Sequence, residues 1–423
     1  MSKIYLILLL LITALAFSTC KKQEATLNPQ PPDTDTFVLH PNVEMIWANY
    51  YEDVTVINGV IGEDIIIFQV SDYSDRFKNQ LLAFNKYSGQ AAWIWDNRIK
   101  RIKSLTYANQ TVYFYDSHYN VVYAVDALTG EERWSWSDPD CRNINGLIVA
   151  DGHVYIDPQY YYYTNLTALD AQTGSPTVIH RFIDNERHNY SLSLSNPHAW
   201  HNARGDLILA YSGKEYSFSK NPSSIENYIA YNITADSIYF EHLHYWPTSA
   251  GGRGEINVIG DKYVFTNTLS NDTRKIACMD LETQSIDWET TIPAKLINAH
   301  IQFYDLGNTW VSNSGNFGIT YGIDPATEKL IWYNDSFHYG FKYPVLYSGY
   351  GWNRKNGQIV VFDPATSTIR YQIENKDLHE GIFLAIKNGT ANQGWFSSLT
   401  IDPTTGYIYT CGENRLTCFQ FIE

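Results

Sequence analysis

The residues of this 423-residue chain best suited to chemistry are a few histidines and aromatics standing close together. In the string EHLHYWP, His242 and His244 lie two apart and so share one face of a strand, with Trp246 beside them. A metal would need a third ligand, which His198 or His201 of NPHAWHN could supply. Strands often carry such pairs without a metal, and none is expected here. Tyr160, Tyr161, Tyr162 and Tyr163 form a run after a strand-like segment, and with Trp200 and Trp246 they are the candidate platform for a ligand. Aromatics on loops stack on sugar rings, and protein interfaces are equally enriched in them. The glycines of GGRGE, from Gly251 to Glu255, could cradle a phosphate but read as a turn between strands. There is no H-E-x-x-H, G-x-S-x-G or Walker loop. No catalytic residue is assigned, and no cofactor is expected.

The elements that must position these residues are repeats. One eleven-residue pattern recurs seven times: AFNKYSGQAAW, AVDALTGEERW, ALDAQTGSPTV, AYNITADSIYF, CMDLETQSIDW, GIDPATEKLIW and VFDPATSTIRY. Its third position is always Asp or Asn: Asn85, Asp126, Asp170, Asn232, Asp280, Asp324 and Asp363. Such a residue caps a turn by accepting backbone N–H bonds, and Gly89, Gly130 and Gly174 supply the positive φ the turn needs. The eleventh position is Trp93, Trp134, Trp288 or Trp332 in four copies, and Phe240 or Tyr371 in two more. It sits on the strand returning from the turn, where an indole can cover the adjoining sheet. Burying one removes about 150–250 Å², with a gross gain of at most roughly 4–6 kcal/mol.

A further strand precedes most copies, as in DIIIFQV from Asp64 and QTVYFYD from Gln110, and a shorter apolar stretch precedes that. Four strands per unit with almost no helical periodicity predict an all-β propeller of four-stranded antiparallel blades. At the C-terminus, GYIYTCG and RLTCFQF lack a fourth strand, while VEMIWAN near the start, with Trp47, lacks a sheet. Joining them closes the ring and removes two exposed edges. The count is then eight blades, or seven if residues 179–245 do not complete their share. The longest departures from repeat spacing, at residues 178–228 and 371–398, are where function is expected, because loops on a rigid scaffold usually carry it.

The ends and the charge bound the setting. Lys3, an apolar run at residues 4–17 and small polar residues before Cys20 have the layout of an export signal, and the run is shorter than the ~20 residues a membrane span needs. Residues 17–20, FSTC, resemble the lipobox, with Phe17 and Thr19 where Leu and a smaller residue are usual. The expected division is a signal peptide at 1–19, a lipidated flexible linker at 20–42 and one propeller domain at 43–423. Acyl chains on Cys20 would anchor the protein at a membrane, expected to be the bacterial outer membrane on either its periplasmic or its surface face, on a linker reaching ~60 Å. A net charge of −15 and pI near 5.2 argue against nucleic acid as a partner. Beyond Cys20, four scattered cysteines make no disulfide framework; Cys411 and Cys418 could pair, though buried free thiols are the favoured reading.

The A-x-D-x-x-T-G-x-x-x-W pattern resembles the tryptophan-docking repeat of pyrroloquinoline-quinone-like propellers over essentially the whole exported chain. One branch of that family, the quinoprotein dehydrogenases, implies a quinone, a calcium ion and, in the alcohol enzymes, adjacent cysteines, which this chain lacks. The other branch is similar to the propeller lipoproteins of the outer-membrane β-barrel assembly machine. It implies a non-catalytic scaffold that holds a cell-envelope protein, and the lipobox, linker and ring agree with it better. A glycan-binding surface lipoprotein and a quinone-dependent oxidoreductase are the alternatives.

Overall fold

The computed structural model describes residues 43–50, 54–72, 79–95, 99–161, 163–183, 189–216, 224–245, 257–268, 273–293, 302–313, 320–334, 342–355, 358–374, 400–402, 404–411 and 415–421. They form eight four-stranded antiparallel sheets, each a meander in chain order. We number these blades 1–7 along the chain, spanning residues 54–95, 102–137, 147–183, 189–245, 257–293, 302–334 and 342–374. Blade 8 takes three strands from the C-terminus, Thr400–Ile401, Tyr407–Cys411 and Arg415–Phe421, and its fourth, Val43–Tyr50, from the start of the chain. Val43 pairs with Phe421 and Trp47 with Cys418, so the expected closure is the one observed. The blade count is eight.

First strands of successive blades contact one another, so they ring the axis and the fourth strands lie outermost. Apolar residues cluster between blades rather than inside one centre. Ile65, Ile67, Trp93, Val112, Phe114 and Val125 fill the junction of blades 1 and 2, and Tyr155, Leu166, Leu207, Leu209, Ile229 and Tyr231 that of blades 3 and 4. Strands buried on both faces explain the unbroken apolar runs of the second strands, such as Thr111–Asp116, in which all six residues are buried.

Alternate strands run in opposite directions, which sorts the loops onto two faces. Turns joining strands 1–2 and 3–4 lie on one face, here the turn face. The 2–3 loops and the connections between blades lie on the other, here the loop face. One expectation is revised at this level. The departure from repeat spacing after Val178 is largely strand: Asn189–His201 and Leu207–Tyr216 pair to make the longest hairpin of the described ring. The second of these strands is the one legible in GDLILAY from Gly205, whereas the polar first strand lacks the apolar alternation that marks extended chain. Of the second departure, residues 371–374 end the fourth strand of blade 7, and residues 375–398 lie outside the described residues.

Candidate functional site

Each repeat turn is a network closed on itself. Asp126 Oδ1 accepts the N–H of Leu128 at 3.0 Å and of Thr129 at 2.8 Å, and Gly130 N–H returns to the Asp126 carbonyl at 2.9 Å. Asn85, Asp170, Asp324 and Asp363 bind their own turns in the same way. The Thr173 N–H and hydroxyl hold the Asp170 carboxyl below its ordinary range, and the Thr327 hydroxyl and Ala326 N–H do so for Asp324. At Asp280, burial pushes the carboxyl up, but the Lys262 ammonium and the Thr283 N–H and hydroxyl outweigh it and leave the value at about 2.

The turn then receives the tryptophan of the preceding blade. Trp93 Nε1–H donates to Ala127 O at 2.8 Å, Trp134 to Ala171 O at 2.9 Å, Trp332 to Pro364 O at 2.7 Å and, across the closure, Trp47 to Lys86 O at 3.0 Å. In the first three turns the indole also lies on the glycine: a Cβ on Gly130 would sit 2.7 Å from Trp93 Cγ. Copies four to seven place Asp236, Gln284, Glu328 and Ser367 at that position with φ of 48°, 56°, 61° and 58°. The left-handed conformation is retained without the glycine that favours it. Glu328→Gly should therefore stabilise the chain by roughly 0.5–1 kcal/mol, since relief of a left-handed non-glycine strain of about 1–2 kcal/mol exceeds the entropy of the added glycine. A urea midpoint that is unchanged or lower would contradict this.

Three copies lack the docking tryptophan, ending in Val178, Phe240 and Tyr371, and at the first two other side chains make the junction. The third copy ends in Val178, which is exposed, and there His180 and the Asp236 carboxylate of the next blade bind the hydroxyl of buried Tyr231. The fourth ends in Phe240, which has no N–H; Tyr239 instead donates to Glu282 at 3.0 Å, and the Gln284 amide donates back to Tyr239 O at 2.8 Å.

Ring closure holds residues that the repeat pattern does not reveal. Lys86 Nζ and Asp402 Oδ2 form an ion pair at 2.9 Å, with side chains only 4% and 3% exposed. Asp402 also accepts from the Thr404 and Thr405 hydroxyls, Tyr409 Oη donates to Lys86 O, and Asn49 Nδ2 donates to Gly89 O. A signal for it existed: DPTTG, from Asp402 to Gly406, repeats the turn motif between the first and second strands of blade 8. Buried Asp116 and Asp157 have a related role on the loop face, accepting the N–H groups of Lys100 and Asn145 where the chain enters blades 2 and 3.

The aromatic candidates are distributed rather than assembled. Tyr160 and Tyr163 stack at 4.5 Å in a 2–3 loop of blade 3, on the loop face. Tyr160 Oη donates to Asp138 at 2.7 Å, Arg181 lies 4.4 Å above Tyr163, and Arg142 lies 4.3 Å above the exposed Tyr161. Trp200 stands near the 1–2 turn of blade 4, half-buried between His198 and Tyr239 and thus at the opposite face. His201 Nε2 meets Asp151 there at 2.8 Å. His242 and His244 are two apart on the fourth strand of blade 4, opposite Tyr228 and Glu226 in register. Cys20, Tyr162, Trp246 and residues 251–255 lie outside the described residues. Cys418 is a buried free thiol, as are Cys141 and Cys278, and burial pushes Cys418 up to about 12.

Among the described residues no three His, Cys, Asp or Glu side chains converge as a metal site. Nor do the described residues gather a group of carboxylates that could hold the calcium ion of a bound quinone. The arrangement is one for joining sheets and presenting two loop-built faces.

These features define an eight-bladed propeller closed by tryptophan docking. Residues 64–290, more than half of the chain, match the family model described as outer membrane protein assembly factor BamB, and the chain belongs to that family. Among solved structures it is similar to BamB from Moraxella catarrhalis, at 13% identity and a TM-score of 0.57 over 90% of this chain and 98% of that one. The computationally designed Ika8 protein is similar at 10% identity and 0.57, over 89% and 99% of the two chains. The quinohemoprotein alcohol dehydrogenase ADHIIG of Pseudomonas putida HK5 gives 9% and 0.57, over 93% and 78%. At these identities the likeness concerns the fold. None of the curated proteins matches the sequence.

Proposed function

We propose that this protein is exported, tethered to the outer membrane through Cys20, and works as a non-catalytic scaffold that holds another protein of the cell envelope. The observation that carries this reading is the family match over residues 64–290, whose description is that of an outer membrane protein assembly factor. The use of the repeat's polar groups supports it. Carboxylates, indole N–H groups and glycines of the described docking turns serve blade junctions, which leaves the loops as the surface for recognition. The glycan reading asks the tyrosine run and Trp200 to act together, and Tyr160, Tyr161 and Tyr163 stand on the opposite face from Trp200.

Two measurements test the proposal. Replacing Cys20→Ser should move the protein from the membrane fraction to the soluble exported fraction; retention at the membrane would remove the tether. Photocrosslinking residues at Tyr161 on the loop face and at Arg204 on the turn face should between them capture one envelope protein reproducibly in intact cells. Absence of any crosslink from either face would end the scaffold reading.

A further inference from the structure

The chain is acidic overall, yet one region of the loop face is not. Lys100, Arg101, Lys103 and Arg142 are all exposed where the chain enters blades 2 and 3. Among the described residues none of the four makes an ion pair. The loop carrying Arg142 also carries Asp138 and Asp140, but Asp138 accepts the Tyr160 hydroxyl and neither pairs with these cations.

The four are contiguous and held in place. Lys103 Nζ donates to Asn143 Oδ1 at 2.6 Å, beside Arg142, and Asn120 Nδ2 donates to Cys141 O at 3.1 Å, next to Tyr119. Lys100 lies 5.7 Å above the Tyr119 ring and Arg142 4.3 Å above Tyr161; these rings are 45% and 63% exposed. Burial lowers the Lys103 pKa, and the like charge of Arg101 lowers it further. The Asp157 carboxylate offsets this in part, but it is buried and bound to the Asn145 and Gly146 N–H groups, so an anion at the exposed cations would relieve their crowding further.

We propose that this patch is the docking surface for an acidic segment of a partner polypeptide. The proposal rests on the scaffold reading above and names the chemistry of what is held. A guanidinium lying flat on a tyrosine keeps its N–H edge open in the plane, which suits a bidentate carboxylate. Neutral rings between the cations match carboxylates spaced along an uncharged backbone better than a dense polyanion, and the rings themselves offer apolar contact to that backbone. An anionic bilayer is disfavoured, because the net charge of −15 opposes approach to such a surface. A short peptide instead feels mainly the charges within a Debye length of about 8 Å.

The test uses the full exported chain, purified in detergent, and a fluorescent decapeptide of alternating Asp and Gly read by anisotropy. Binding at low salt is expected, falling at least tenfold in the variant Lys100→Glu/Arg101→Glu/Arg142→Glu and little in Arg204→Glu on the turn face. The neutral set Lys100→Gln/Arg101→Gln/Arg142→Gln gives the same reading should the reversal variant fold poorly. Equal binding by wild type and variants, no binding by wild type, or a tenfold preference for heparin or for micelles containing phosphatidylglycerol would overturn the proposal. In cells, a crosslink from Tyr161 that survives charge reversal would overturn the patch and leave the scaffold standing. Loss of every crosslink in the wild type would instead remove the scaffold.

Discussion

Replacing Lys86→Met is expected to destabilise the ring by about 3–5 kcal/mol, because it strands the Asp402 carboxylate in a site where both side chains are almost wholly buried. Asp402→Asn should also be costly, since it leaves the buried Lys86 ammonium unpaired and its single amide oxygen can replace only one of the two carboxylate oxygens that accept from Thr404 and Thr405. The double variant Lys86→Met/Asp402→Leu should recover much of the single loss, as a buried pair exchanged for apolar groups is often close to neutral. Urea denaturation followed by tryptophan fluorescence would report all three, and a Lys86→Met midpoint equal to wild type would show that the pair does not hold the closure.

The same pair predicts an acid limb. At Asp402, burial pushes the carboxyl up, yet the Lys86 ammonium and the threonine hydroxyls outweigh it and bring the value to about 2. A folded value below the unfolded one of about 3.9 adds stability above pH ~4, and that stability is lost as pH falls toward 2. At Lys86, burial opposes the charge but the Asp402 contact prevails and raises the pKa. Its contribution is thus complete below about 10.5 and is lost only as the lysine deprotonates in strong base. Both limbs describe one interaction, so their magnitudes do not add. Wild type should lose about 2–3 kcal/mol more than Asp402→Asn between pH 5 and pH 2; parallel pH curves would contradict this.

The second large effect concerns docking. Trp93→Ala removes a 6%-exposed indole, its bond to Ala127 O and the cover over Gly130, and should destabilise by about 3–5 kcal/mol. Gly130→Ala attacks the same contact from the other side. Its φ of 72° disfavours any side chain, and its Cβ would meet Trp93, so a loss of about 2–4 kcal/mol is expected. The two residues touch, so the double variant should fall well short of the sum. Additive losses, measured in the same denaturation series, would show that the ring does not rest on that glycine. The comparison with Glu328→Gly, at the same repeat position with the opposite expected sign, separates the effect of backbone conformation from that of the docked ring.

How much of this is legible in the sequence differs from feature to feature. Asn85, Asp126, Asp170, Asp324 and Asp363 are readable because the cap and the N–H groups it binds lie within three residues. Trp47 is readable as a closing strand because ring closure demands a fourth strand for the C-terminal sheet. The pairing of Lys86 with Asp402 is not, because 316 residues separate them and only closure brings them together. The long hairpin of blade 4 reads as an insertion, since its polar first strand lacks the apolar run of its counterparts. The tyrosine run and Trp200 look like one platform, yet strand direction sends Tyr160, Tyr161 and Tyr163 to the face opposite Trp200.

By itself, the sequence determined the blade unit, the turn chemistry and the way the ends meet, because these depend on contacts within about eleven residues or on a count of strands. The tertiary structure alone decided which junctions dock by tryptophan and which by Tyr231 or Tyr239, that a buried ion pair seals the ring, and that four cations and two tyrosines share one region of the loop face. The physical reason is distance along the chain. A turn is stabilised by its immediate neighbours, whereas a junction or a face is made by whatever residues the closed ring places side by side.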